Sequence, residues 1–196
     1  MIRILTPLVA IAAFSQPAFA GNTAQYGLGI GISPFGGSLN ASYHHSKKTS
    51  LNIALGGAPS MEGPMKPTIE DTEYTQTGES TWVGAFLNHR PFKDADWFRF
   101  NTGIGIGSIE SELEDADGNV YKVEYNENPV GYIGIGFGSS TKEGFTVGFD
   151  LGWLQSSGPE ITQTAGDGED ASEAIGDTFG FGNVLPNLQL TFAYNF

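Results

Sequence analysis

The 196-residue chain has no cysteine, only nine Lys and Arg, and only three His. It also lacks any apolar run approaching the roughly 18 residues of a membrane-spanning helix. Each absence excludes something. Without cysteine there is no disulfide framework, no thiolate metal site and no thiol nucleophile. Nine cations against 22 Asp and Glu give a net charge of −13, so no surface could neutralise a run of phosphates, and nucleic acid is excluded as a partner. Charged residues make up only 16% of the chain and the mean hydropathy is −0.15, which does not fit an acidic disordered tail. What is abundant is glycine, 28 residues, about twice the usual share.

Residues 1–20 read MIRILTPLVAIAAFSQPAFA. A single cation, Arg3, precedes an apolar run over residues 4–14; Gln16-Pro17 interrupts it and Ala18-Phe19-Ala20 supplies a small-x-small cleavage pattern. The run is too short to span a bilayer core of about 30 Å as a helix, so the segment predicts a secretory signal removed after Ala20. Residues 21–196 then form one domain.

From Tyr26 onward, apolar residues recur at every second position. Tyr26, Leu28, Ile30 and Ile32 alternate with glycines; Leu39, Ala41 and Tyr43 follow, then Leu51, Ile53 and Leu55. Val83, Ala85 and Leu87 alternate with Trp82, Gly84, Phe86 and Asn88, where both faces carry bulk and the assignment stays open. Phe98, Phe100, Ile104 and Ile106 oppose Arg99, Asn101, Gly103, Gly105 and Gly107. Three further stretches, through Ile133, Val147 and Leu190, repeat the pattern. That predicts eight strands, each with one apolar face. Connections at one end are short (46–49, 90–96, 139–143) and at the other long (57–79, 108–128, 156–184), with the short 33–37 link as the exception. The fold class expected is all-β: an eight-stranded antiparallel up-and-down transmembrane β-barrel.

A ligand-binding barrel with an apolar inside has the same period. Three features favour the membrane. The polar face is mostly Gly, Ser, Asn and Thr, which suits a crowded narrow interior. Aromatics gather at strand ends, with Tyr26, Tyr43, Phe92, Trp97, Phe98, Phe137, Phe145, Tyr194 and Phe196 toward the short turns and Trp82 and Trp153 toward the long loops, as interfacial girdles do. Finally, the chain ends on an alternating apolar strand, Leu188-Gln-Leu190-Thr-Phe192-Ala-Tyr194-Asn-Phe196.

That ending resembles the terminal strand read by the outer-membrane assembly machinery of Gram-negative bacteria. In architecture the chain resembles the small-barrel class that includes the OmpA membrane domain, OmpX and the OmpW-like proteins. The resemblance implies export to the bacterial outer membrane, contact with lipid and lipopolysaccharide, recognition by the assembly machinery through Tyr194 and Phe196, and a monomer.

Charge sorts by end. The three long connections carry 18 of the 22 acids and only two cations, Lys66 and Lys122; Lys47, Lys48, Arg90, Lys93, Arg99 and Lys142 fall in short turns and strand bases. Such a single-sign field concentrates cations, and divalent cations bridging to lipopolysaccharide phosphates are a candidate partner. Within it, Asp115-Ala-Asp117-Gly118-Asn119 has two readings, a metal loop with Asp115, Asp117 and Asn119 as ligands, or the tip of a hairpin. The glycine comes too early for a calcium loop, and Asp-Gly is a strong turn signal, so a hairpin continuing strands five and six above the membrane is expected. The segment 165–173 has loop composition and is expected to be mobile.

Catalysis needs a base beside a nucleophile. His44 and His45 abut a short turn with Ser46, and His89 abuts another; the expectation is rim residues, no catalytic site and no cofactor. Arg99 and Asp150 fall on inward positions and form the expected lumen charge pair, with Tyr132, Asn101 or Gln189 as partners. Glycine rows on strands one, five and six leave room for a narrow water path. The role expected is structural or surface-interactive through the acidic loops. A narrow solute channel is the alternative, and a lipid-modifying enzyme comes third.

Overall fold

A computed structural model of the chain describes residues 23–63, 66–126 and 129–196; the expected signal segment, residues 1–20, lies outside them. The described residues form β1 (Tyr26–Ser33), β2 (Gly36–His44), β3 (Thr49–Glu62), β4 (Thr68–Ile69), β5 (Thr72–His89), β6 (Phe98–Asp115), β7 (Val120–Tyr125), β8 (Val130–Gly138), β9 (Gly144–Gln155), β10 (Glu160–Ala165), a helix α1 (Ser172–Asp177) and β11 (Val184–Asn195).

Eight of these strands close a ring in the order β1-β2-β3-β5-β6-β8-β9-β11, every neighbouring pair antiparallel. Closure is made by β11 on β1, with Leu28 opposite Tyr194 and Ile30 opposite Phe192. A closed ring leaves no strand edge facing lipid. Its outward residues are apolar and exposed: Ile30 is 55% accessible, Ile53 55% and Ile133 65%. Its inward residues are Ser38, Ser50, Asn88, Arg99, Asn101, Asp150, Asn187 and Asn195, all buried. This is the inverse of a water-borne barrel and matches an eight-stranded transmembrane barrel.

Rings at the short-turn end interlock. Tyr26 touches Tyr43 and Phe196, Trp97 stacks on Phe137, and Phe98 packs against Phe92, Phe100 and Phe137. Trp153 is exposed on the outer face toward the long loops. Trp82 does not join it; the indole turns inward and donates from Nε1 to the Phe35 carbonyl at 2.9 Å. Period alone could not assign that strand, and the ladder does: Val83 and Leu87 face outward, 44% and 45% exposed.

The short 33–37 connection also has a physical account. Gly36 has φ +91, and a Cβ there would strike the Gly57 backbone. The tight turn directs the Phe35 carbonyl to Trp82 and to Ser80 Oγ, 2.9 Å each. The hairpin tip is thereby tucked into the barrel mouth.

The long connections fold into a lobe. β6 runs past the ring to Asp115, pairing with β8 through Gly105 and then with β7 from Ile109. β10 adds to β7, and β4 to β5. The sixth ring strand is thus interrupted, its upper portion being β7. The principal apolar cluster of the described residues lies here: Ile69, Tyr74, Leu113, Tyr121, Val123, Tyr125, Ile175, Phe181 and Leu185. The segment 165–173, expected to be mobile, is tethered: Asn119 Oδ1 accepts from Gly168 N (3.0 Å), and Tyr121 Oη donates to the Glu169 carbonyl (3.1 Å) and accepts from Ala171 N (3.3 Å).

Candidate functional site

The interior is built in rows, because antiparallel register puts inward residues of adjacent strands side by side. Toward the short turns, Arg99, Gly136, Asp150 and Gln189 stand in line. Two residues up each strand, the row is Asn88, Asn101, Gly134, Gly152 and Asn187. The next is Phe86, Gly103, Tyr132, Leu154 and Leu185. From floor to mouth the lumen passes from charged to amide to apolar.

Glycines in these rows are not empty space. A Cβ on Gly134 or Gly152 would enter the Tyr132 phenol, one on Gly84 or Gly103 the Phe86 ring, and one on Gly56 the Trp82 indole, while one on Gly107 would strike the Thr81–Trp82 backbone. Gly136 is covered by the Arg99 guanidinium. The expected water path through the glycine rows is therefore largely filled by these side chains, with Phe86 and Tyr132 edge to face at 5.4 Å. A cavity of ≈ 140 Å³ remains, lined from His44 and Arg90 at the floor to Ser33 and Ser156 at the rim.

Arg99 and Asp150, 51 residues apart in sequence, meet in the charged row: Arg99 Nη2 donates to both carboxylate oxygens at 2.8 and 2.7 Å. Asn101 Nδ2 donates to the same carboxylate. Tyr132 bonds Asn187, and Gln189 Nε2 donates to Thr191 (3.0 Å); neither completes the pair.

Arg90, read from sequence as a rim cation, points into the lumen and is 2% exposed. Its neighbour His89 pairs with Phe100, which sets Arg90 beside Arg99. Nη1 donates to Ser50 Oγ (3.2 Å) and Nη2 to the Ser139 carbonyl (3.4 Å). The only available signal was its inward parity, continuing Phe86 and Asn88 past the strand end.

His44 is likewise not a rim residue; it is 8% exposed. Its Nδ1 lies 2.9 Å from Ser50 Oγ and its Nε2 3.2 Å from Asn195 Oδ1. Asn195 Nδ2 donates to the Ser140 carbonyl at 2.7 Å. One chain of donors therefore runs from Arg90 through Ser50 and His44 to Asn195, closing the floor. Hydroxyl, imidazole and amide stand in the order of a nucleophile relay, but Ser50 is 1% exposed and its oxygen already accepts from Arg90. His45 contacts Tyr43 and His89 lies 3.3 Å from Thr49 Oγ1; both are exposed.

The lobe carries the acids. Glu79 faces Glu110, Glu110 faces Glu124, and Glu124 faces Glu160, a row of four glutamates across β5, β6, β7 and β10. Like charges directly opposite repel. Lys122 Nζ offsets part of this, 3.2 Å from Glu110 and 2.8 Å from Glu124. Hydrogen bonds to Glu124 and Glu110 raise its pKa, and the bond from Lys122 lowers that of Glu124.

Asp115, Asp117 and Asn119 form a turn. Asp115 Oδ1 accepts from Asp117 N and Asn119 N, both 2.9 Å, and Oδ2 from Asn119 Nδ2 at 2.8 Å. The Asp115 oxygens thus face N–H donors, and among the described residues no cluster of three or more His, Asp or Glu could hold a metal ion. Burial pushes the Asp115 carboxyl up, but the bonds from the Asn119 side chain and the Asn119, Asp117 and Gly118 backbone outweigh it and hold the carboxyl below its ordinary value. A depressed folded pKa contributes stability above the unfolded value of about 3.9, lost as pH falls through the folded one. Amide protection factors at Asp117 and Asn119 should stay level from neutral pH down to about pH 4 and decline below it; Asp115→Asn should abolish that acid dependence.

No protein-family model matches the chain, and no curated protein matches it. Solved structures share its fold. Acinetobacter baumannii CarO aligns over 89% of this chain and 100% of its own, with TM-score 0.65 and 13% identity. Acinetobacter baumannii CarO2 aligns over 87% and 98%, with TM-score 0.67 and 14% identity. At these identities the likeness is one of fold.

Proposed function

We propose that the protein resides in a Gram-negative outer membrane as a monomer and acts at the cell surface through its acidic lobe. The observation that carries this reading is the lobe itself. The long connections bury an apolar cluster of their own and hold four glutamates in one row against a single neighbouring lysine. Such a field recruits cationic partners, and divalent cations bridging to lipopolysaccharide phosphate are the chemistry that suits it. The alternating C-terminal strand, ending at Tyr194 and Phe196 on the outer face, suits delivery by the assembly machinery after signal removal. The buried, acceptor-loaded Ser50 favours a role other than catalysis.

The test is retention of the purified protein on lipopolysaccharide vesicles with calcium and with a chelator. Retention should need calcium and fail in a Glu110→Gln/Glu124→Gln/Glu160→Gln variant. Equal retention under chelation, or in the variant, would overturn the reading.

The residual cavity of ≈ 140 Å³ favours a second reading, a narrow solute channel. Against it stand Phe35, Tyr125 and Leu185 above and the Arg90–Ser50–His44–Asn195 chain below. Planar-bilayer recordings should give no conductance steps above background; reproducible steps would select the channel.

A further inference from the structure

The lumen floor holds more positive charge than it neutralises. Arg90 is 2% and Arg99 4% exposed. Asp150 is the one carboxylate within ion-pair distance of either among the described residues, and it is spent on Arg99. Arg90 bonds only neutral oxygens, Ser50 Oγ and the Ser139 carbonyl. The Nε atoms of both arginines are buried without a hydrogen-bond partner among the described residues. A guanidinium buried without an anion is costly, and two cations against one carboxylate leave a single uncompensated charge.

Both arginines line the ≈ 140 Å³ cavity, as do Phe86 and Tyr132 higher on the same walls. A void of that size has room for a benzene-sized body, and here its lining sets rings above amides, hydroxyls and guanidiniums. Charge at the floor, an amide row above it and rings above that describe an amphipathic monoanion standing upright in the barrel. The guanidinium fork matches a carboxylate.

We propose that the barrel interior is a binding site for a small organic monocarboxylate, its carboxylate held by Arg90 and Arg99 and its apolar body against Tyr132 and Phe86. One negative charge brings the floor to neutrality, so a dicarboxylate or a cation fits less well. The ordering of rows also sets orientation, with the charged end toward the short turns. This site is independent of whatever the acidic lobe meets.

The experiment is calorimetric titration of the intact barrel in neutral detergent with benzoate, with benzyl alcohol as the uncharged isostere and with chloride as the simple anion. Benzoate should bind at least about tenfold more tightly than benzyl alcohol, since a charge-assisted hydrogen bond is worth about a decade or more of affinity. Chloride should compete without reproducing the binding. Arg90→Gln should lose about tenfold or more in benzoate affinity. The wild-type comparison decides even if that variant does not fold: benzoate should raise the thermal unfolding temperature, whereas benzyl alcohol should not. Equal binding of benzoate and benzyl alcohol, benzoate binding unchanged in folded Arg90→Gln, or chloride bound as tightly as benzoate would each overturn the proposal.

Discussion

Asp150→Ala is expected to destabilise the folded barrel by about 3–5 kcal/mol, the cost of breaking a buried ion pair from one side, as measured by urea unfolding in detergent micelles. The carboxylate takes two bonds from Arg99 and one from Asn101. Removing it strands two guanidiniums in adjacent positions inside a narrow ring, and no other carboxylate among the described residues lies within ion-pair distance of either. The loss should be asymmetric. Arg90→Met removes the cation with no carboxylate of its own and should lie within about 1 kcal/mol of wild type or above it, because an apolar residue in place of a buried charge is often neutral or stabilising. Arg99→Met/Asp150→Leu, which removes both partners, should recover most of what Asp150→Ala loses. An Asp150→Ala barrel of wild-type stability would mean that water solvates this row and that the ion pair contributes nothing to the fold.

Leu113→Ala should cost the lobe about 2–5 kcal/mol, the range for truncating a buried leucine to alanine. Leu113 is fully buried on β6 above the ring, opposite Tyr121 and Gln76. It belongs to a cluster that includes Tyr74, Tyr121 and Ile175, so its loss affects β7 and α1 together. Hydrogen exchange should accelerate across β7, β10 and α1, while the ring strands keep their protection. The separation follows from two different sources of stability. The ring is held by closed ladders with its apolar face toward lipid, whereas the lobe depends on an apolar cluster shielded from water. Simultaneous loss of ring and lobe protection would show that they are one cooperative unit.

The lobe was half legible in the sequence. Ile109 and Leu113 against Tyr121, Val123 and Tyr125 continue a period of two around Asp-Gly, and the hairpin stands as expected, with Gly118 at φ +84. What packs on it was not legible. The segment 165–173 has loop composition, and its tethering depends on Asn119 and Tyr121, side chains roughly 50 residues away. Composition describes a segment's own preference, whereas its place depends on which distant donors come within reach.

The lumen divides in the same way. Arg99 and Asp150 were visible as inward charges because parity alone places them inside. That they meet depends on the offset between β6, β8 and β9, which brings Arg99, Gly136 and Asp150 into one row. Arg90 and His44 sit at strand ends, where period fades and adjacency to a turn suggests a rim. Only closure, with the 139–142 segment and Asn195 folded beneath them, makes that rim a floor.

By itself the sequence determined the eight strands of the ring, the apolar outer face and the end that carries the acids, since these follow from a two-residue period and from local composition. Only the tertiary structure decided what fills the barrel. Gly103 and Gly136 read alone as openings, and cross-strand register turned them into seats for Phe86 and Arg99. The physical reason is that a strand's period says which residues share a face, while the contents of a closed interior depend on the relative shift of eight strands, a quantity no single strand encodes.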